Sequence, residues 1–226
     1  MRAAPIDHGE AGGSARREYD RRSARREMEV RDRHPVVGGF LLAMTGEPQA
    51  TRAWAQGAIG EQIVGRHLDQ LAGRGVVTLH DRRVPRSAAN IDHLAVAPSG
   101  IFVIDAKYRA GRKVEMRKSG GFLHWGPRRL VVGGRDAGPM LEASAWQLTV
   151  VRRALRSAGV DGGVPLRAML VLVEAQWGRS TSGLVVGRVD VLWPKAMASR
   201  VGAPGPLSPE IVTRLAECLA AQLPPA

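Results

Sequence analysis

The chain has 226 residues, 44% of them hydrophobic and 24% charged, with a formal net charge of +12. That length holds one domain with a substantial core plus a tail, and no apolar run approaches the roughly 18 residues of a membrane span, so no membrane anchor is expected. The first residues lack the apolar stretch of a secretory signal, which makes the cytoplasm the expected compartment, and the lone Cys218 excludes an intramolecular disulfide or a multi-thiolate metal cluster.

The positive charge is local. Residues 1–50 hold nine Arg against eight Asp plus Glu, whereas the stretch from Arg82 to Arg135 holds twelve Lys plus Arg and only three acids, Asp92, Asp105 and Glu115. Basic surface of this density attracts polyanions through phosphate contacts and counterion release, so nucleic acid, taken as DNA, is the expected partner. Arg82, Arg83, Arg86, Arg109, Arg112 and Lys113 are the candidates for backbone contact. A compositional preference for Arg, 29 against 4 Lys, is the competing explanation.

In chain order, Ser14 to Arg33 carries spaced acid and base pairs that suit a charged helix, but it offers no apolar stripe to pack. Residues 1–50 are therefore expected to form a mobile charged arm, and residues 51–226 the domain with its C-terminal helix. From Trp54 to Leu71 the apolar residues fall at helical spacing, and the Val64, Leu68 and Leu71 stripe extends back over Glu61 and Gly57. A β-type run, VVTLHDRRVP, precedes IDHLAVA and IFVIDAKY, which are joined by Pro98-Ser99-Gly100 with Ser99-Gly100 as the expected turn.

RKVEMRKSGG, FLHWG and RRLVVGG predict a second hairpin of short strands. Pro139 opens a helix reaching Arg156, with Met140, Ala143, Gln147, Val150, Val151 and Leu155 at helical intervals. Two strand patterns follow, RAMLVLVEA and GLVVGRVDVLW, and Ser208 caps a last helix with Pro209 in its first turn. This order predicts an α/β fold with a mixed sheet flanked by helices.

With Ser99 and Gly100 in the turn, Pro98 pairs with Ile101, Asp92 faces Lys107, and Leu94 faces Asp105. Asp92, Asp105 and Lys107 then share one face, while Ile91, Phe102 and Ile104 take the other; a register one residue different would part them. Two carboxylates held close repel one another unless a cation sits between them. An oxygen-rich pair of this kind suits Mg2+ or Mn2+, which retain waters and bind substrate phosphate. Such a cation would activate water and steady charge on the phosphate, with Lys107 orienting the water and Glu61 approaching from the first helix of the domain. Each residue also has an ordinary reading: Asp92 as a strand start, Asp105 and Lys107 as a solvated face, and Glu61 as an outward-turned helix residue.

The runs GAIGEQIVGRHL, VVTLHDRRVP, IDHLAVAPSGIFVIDAKYRAG and GPMLEASAWQLTVVRRAL together resemble the nuclease-related domain, a branch of the PD-(D/E)XK phosphodiesterase superfamily. The most specific part is the IDH and PSGIFVIDAK block, with its order of acid, turn and acid-x-Lys. The resemblance implies a restriction-endonuclease-like fold, metal binding by Asp92 and Asp105 with help from Glu61, a catalytic Lys107, and Gln147 as a polar neighbour of the site. It also implies departures from the commoner pattern, since Asp105 stands where Glu is usual and Gly138-Pro139 where Asn-Pro is typical.

Other residues carry less. His93 is expected to point away from Asp92, and His80 and His124 are isolated and lack metal-ligand spacing. Trp125 and Trp177 are read as packing residues, with base stacking as the alternative. The pairs Gly120-Gly121 and Gly133-Gly134 are expected to be turns. The favoured function is a metal-dependent nuclease. The alternatives left open are an inactive nucleic-acid-binding module on the same fold and an interaction protein acting through its charged arm.

Overall fold

A computed structural model describes residues 5–118, 128–160, 162–178 and 183–226. His124, Trp125, Gly120-Gly121 and the FLHWG strand lie outside the described residues. Strands β1 (Val77–Arg83), β2 (Asn90–Ala97), β3 (Gly100–Tyr108), β7 (Leu166–Val173), β9 (Leu184–Val186) and β10 (Val189–Leu192) form a six-stranded sheet in the order β1-β2-β3-β7-β10-β9. β3 and β7 pair in parallel, as do β7 and β10, while β1-β2, β2-β3 and β9-β10 are antiparallel. A smaller sheet, β6-β5-β4-β8, joins β4 (Lys113–Lys118), β5 (Arg128–Val132), β6 (Arg135–Asp136) and β8 (Gln176–Trp177).

Side-chain alternation divides the interior into two cores. Leu94, Val96, Ile101 and Val103 pack with Val151 and Leu155 of α4 (Gly138–Ser157) and with Val212 and Leu219 of α6 (Pro209–Gln222). On the other face, Ala95, Phe102 and Ile104 pack with Val64 and Leu68 of α3 (Gln49–Asp69) and with Met197 and Val201 of α5 (Pro194–Val201). β7 is covered on both faces, which is why its sequence LRAMLVLV reads as a nearly continuous apolar run. The architecture is the expected α/β, restriction-endonuclease-like mixed sheet flanked by helices. No helix among the described residues is long and apolar enough to cross a membrane.

Several local expectations change. The first helix of the domain begins at Gln49 rather than Trp54. GLVVGRVDVLW is two strands about Gly187, whose φ of 62° suits a tight turn, and α5 follows without having been anticipated. The turn between β2 and β3 is Pro98-Ser99, with Ala97 paired to Gly100 and His93 to Ile104. Gly100 serves a close approach instead: a Cβ there would lie 2.5 Å from the Pro165 carbonyl oxygen. Continued one step, this register sets Asp92 opposite Asp105 rather than Lys107. The shift is two residues, so the parity that groups Asp92, Asp105 and Lys107 survives.

The segment before the domain is α-helical over α1 (Gly13–Arg33) and α2 (Gly38–Met44), and its start is docked. His8 Nδ1 lies 2.7 Å from the Thr78 carbonyl, and the Ser14 backbone N–H and hydroxyl donate to the two oxygens of Asp81 at 2.6 and 2.7 Å. Asp81 is buried on β1 with a φ of 48°. It thus terminates the start of α1 much as a helix cap would, satisfying an amide that the helix itself leaves unpaired.

Arg82 corrects the sequence reading. Expected as a contact to nucleic acid, it is fully buried, and its guanidinium donates to Leu223 O at 2.6 Å, Asp7 O at 2.8 Å and Ala220 O at 3.2 Å. It ties both ends of the chain to β1. Burial pulls its pKa below the ordinary arginine value, with Asp7 and Asp81 opposing that shift.

Candidate active site

β3 carries the acid and the lysine two residues apart, so strand periodicity alone puts Asp105 and Lys107 on one face. The Lys107 ammonium donates to Asp105 Oδ1 and stands 3.7 Å from Asp92 Oδ2. Asp92 Oδ2 accepts the Ala106 backbone N–H at 2.9 Å, which fixes its carboxylate across the hairpin. Ser144 of α4 lies 3.3 Å from Asp105 Oδ2 through its hydroxyl. Ile91, expected on the face of Phe102 and Ile104, instead belongs to the core of Leu94 and Val103. The β1-β2 ladder omits an Asp81–Asp92 pair at the point where Asp81 takes its positive φ, and the backbone departs locally from simple alternation.

Glu61 arrives from the opposite face of the sheet. Gly60 makes this possible: a Cβ there would come within 3.2 Å of the Tyr108 backbone nitrogen, so its absence lets α3 lie close against β3. Glu61, Asp92 and Lys107 line one cleft of about 450 Å³, together with Ser14 of α1, Trp54 and Arg109.

The electrostatics are those of a site short of positive charge. Burial, followed by the charges of Asp92 and Asp81, pushes Glu61 up to about 9. Burial also pushes Asp92 up to about 7; Lys107 opposes that shift and Asp105 adds to it. Burial disfavours the Lys107 ammonium, but Asp92 and Asp105 outweigh it and hold Lys107 above its ordinary value.

Gln147 is buried on α4, one helical turn beyond Ser144, and its Nε2 donates to the Asn90 carbonyl at 3.4 Å. Its Oε1 is buried without a hydrogen-bond partner among the described residues. Gln147 therefore braces the start of β2, two residues before Asp92. His93 points away from Asp92, as its parity implies, but His80 is not isolated. The two imidazoles meet at 2.8 Å between Nδ1 atoms, and His80 Nε2 lies 3.0 Å from Asp69 Oδ1. Burial, then His80 and Lys107, pushes His93 well below the ordinary imidazole range.

The remaining basic candidates lie at the surface. Arg83, Arg86, Arg112 and Lys113 are exposed, and Arg109 is half-buried in the lining of the cleft. Trp177 packs edge-on against Trp193 with ring centroids 5.2 Å apart. Ser144, Asn90, Ser14 and Trp54 were not singled out in the sequence. Ser144 was within reach, because it lies three residues before Gln147 and hence on the same helical face.

Among the described residues, no three His, Cys, Asp or Glu side chains cluster as a ready metal cage. The donor set nevertheless suits a hard divalent cation of the magnesium type, which takes one or two carboxylates and keeps its waters. Two opposed carboxylates, one of them forced toward its protonated form, make a place where added positive charge is favourable.

A family model described as the nuclease-related domain matches residues 56–173. No curated protein and no solved structure matches the chain.

Proposed function

Because the chain belongs to the nuclease-related domain family, within the PD-(D/E)XK phosphodiesterase superfamily, we propose that it is a nuclease hydrolysing phosphodiester bonds in DNA with Mg2+ or Mn2+. The observation that carries this reading is the Lys107 ammonium, which lines an open cleft with Asp92 and reaches both Asp92 and the buried Asp105 behind it. Asp92 and Asp105 would hold the cation, with Glu61 as a further oxygen donor. Bound there, the cation would supply Lewis acidity toward the phosphate and a more acidic water.

The chain's own groups do the rest. Lys107 orients the attacking water or donates to the phosphate oxygen on which charge develops. Ser144 and the Ala106 N–H hold Asp105 and Asp92 in place, and Gln147 steadies the strand that carries Asp92. Arg83, Arg86, Arg109, Arg112 and Lys113 bind the phosphodiester backbone. Residues 51–226 form the nuclease-related unit in this proposal, and residues 1–50 are a charged segment appended to it.

Replacing Asp105 with Asn abolishes plasmid cleavage while the circular dichroism spectrum stays that of the parent; a variant cutting at the parent rate overturns the assignment. Calorimetric titration of Mg2+ or Mn2+ into the parent and Asp92→Asn tests the metal separately. A second reading, a binding module without turnover, draws on the existing Lys107–Asp105 ion pair, which a cation must open. It predicts salt-sensitive DNA binding that is indifferent to Mg2+.

A further inference from the structure

The inward stripe of α3 does not end where the core ends. It buries Leu68 and Val64, carries Glu61 into the cleft, and continues through Gly57 to Trp54. A Cβ on Gly57 would meet nothing within 4 Å, so the cleft is open beside this part of the helix. Trp54 is 39% exposed and lines the same cleft as Asp92 and Lys107. A large indole on an inward stripe, facing an opening instead of a core, has apolar area available for a ligand.

The ring is braced from the N-terminal segment. Arg22 of α1 places its guanidinium carbon 5.6 Å from the Trp54 ring centroid, and Glu18 holds Arg22 in turn at 2.6 Å. Trp54 and Arg22 both precede the stretch of chain that matches the family. Glu61 lies seven positions beyond Trp54 on the helix, about 10 Å along the axis, or about three stacked nucleotides at ~3.4 Å each.

We propose that Trp54 is a stacking platform for an unpaired base of single-stranded DNA, seated about three nucleotides from the phosphate that meets Lys107 beside Glu61 in the same cleft. This rests on the reading of the cleft as a nucleic-acid site. A duplex keeps its base faces covered by neighbouring pairs, whereas a single strand, an overhang or a flap offers a free π-face to the indole. Arg22 polarises the ring from one side, and Arg109 lines the same cleft.

The test measures fluorescence anisotropy with a 5′-fluorescein single-stranded oligodeoxynucleotide and with the blunt duplex of the same sequence. It uses the full chain carrying Asp105→Asn, so that neither probe is cut. Adding Trp54→Ala is expected to weaken single-strand binding about 5- to 150-fold, while Trp54→Phe keeps it within about threefold and duplex binding is unchanged. With the Trp54 ring intact, an abasic substitution at one position of the strand is expected to reproduce the loss; this arm does not depend on how Trp54→Ala folds. Single-strand affinity unaffected by Trp54→Ala and by every abasic position overturns the proposal while leaving the nuclease reading in place. Equal losses for single strand and duplex, with a lowered Tm, assign Trp54 to packing and also overturn it. If neither probe binds the protein before Trp54 is changed, the nucleic-acid reading fails and the stacking platform fails with it.

Discussion

Lys107 Nζ stands 3.7 Å from Asp92 Oδ2, reaching across the hairpin while it also donates to Asp105 on its own strand. A divalent cation held by those carboxylates would compete with the ammonium for the same oxygens. Lys107→Met is therefore expected to leave metal uptake intact or tighter by calorimetry and to lower the cleavage rate by about 10²- to 10⁴-fold. Loss of metal uptake in this variant would contradict the arrangement, because it would make the lysine necessary for the site it competes with.

The carboxyls predict how stability without metal depends on pH. Asp92 rises from 3.8 to about 7 in the folded chain and Glu61 from 4.5 to about 9. A folded pKa above the unfolded one means that the native state binds the proton more tightly. That contribution is complete below pH 3.8 for Asp92 and is lost as pH rises through about 7; for Glu61 the loss continues to about 9. In the presence of a chelator, Tm should therefore fall between mildly acidic and alkaline pH, after correction for the rest of the chain by the Asp92→Asn and Glu61→Gln variants. At pH 8 Asp92→Asn should be more stable than the parent by on the order of 1 to 3 kcal/mol. Added Mg2+ should reverse the order, and thermal melts at three pH values with and without metal check it.

Arg82 and Arg83 are neighbours on β1 with opposite environments, one buried and the other exposed. Arg82→Ala leaves the carbonyls of Leu223, Ala220 and Asp7 without their donor and is expected to destabilise the fold by about 2 to 4 kcal/mol. Arg83→Ala should leave the unfolding free energy within about 0.5 kcal/mol of the parent and flatten the salt dependence of DNA binding by about one unit of slope. Urea melts and anisotropy at three salt concentrations separate the two outcomes.

Asp81 joins α1 to the domain through Ser14, and the Asn90 amide donates to it as well at 3.1 Å. Asp81→Ala removes all of these acceptors and places alanine at a positive φ, so a loss of about 1 to 3 kcal/mol is expected. Limited proteolysis should then cut within residues 13–33 faster than in the parent. Asp81→Asn, which tolerates the same backbone conformation and keeps one acceptor, should lie between the two. Equal protection of all three proteins would show that α1 is held by other contacts.

The parts of the fold visible in the sequence are those set by short-range periodicity. Leu166–Val173 reads as a buried strand, and Gly138–Ser157 reads as a helix opened by Pro139, because each needs only its own apolar spacing and its terminal residues. Ser208 was legible as a cap for the same reason, and its side chain does accept the Ile211 N–H. The segment up to residue 50 was harder, since its helix docks through Ser14, Ala15 and the contacts of Asp81 rather than through an apolar stripe.

For the candidate site, the sequence by itself determined that Asp105 and Lys107 share a face, because strand side chains alternate with period two. It also kept Asp92 with them despite a turn placed one residue late, since the resulting register differs by an even number. Only the tertiary structure decided that Arg82 is a clamp and Arg83 a surface residue. It alone decided that Gly60 lets α3 bring Glu61 to the cleft, that Ser144 reaches Asp105, and that Trp54 and Ser14 form part of its wall. Each of these depends on a partner distant in sequence, 141 residues away for Arg82 and Leu223. Local propensity carries no information about which distant surface will cover a given side chain, so burial, charge compensation and the shape of the cleft arise only when the sheet and its helices pack.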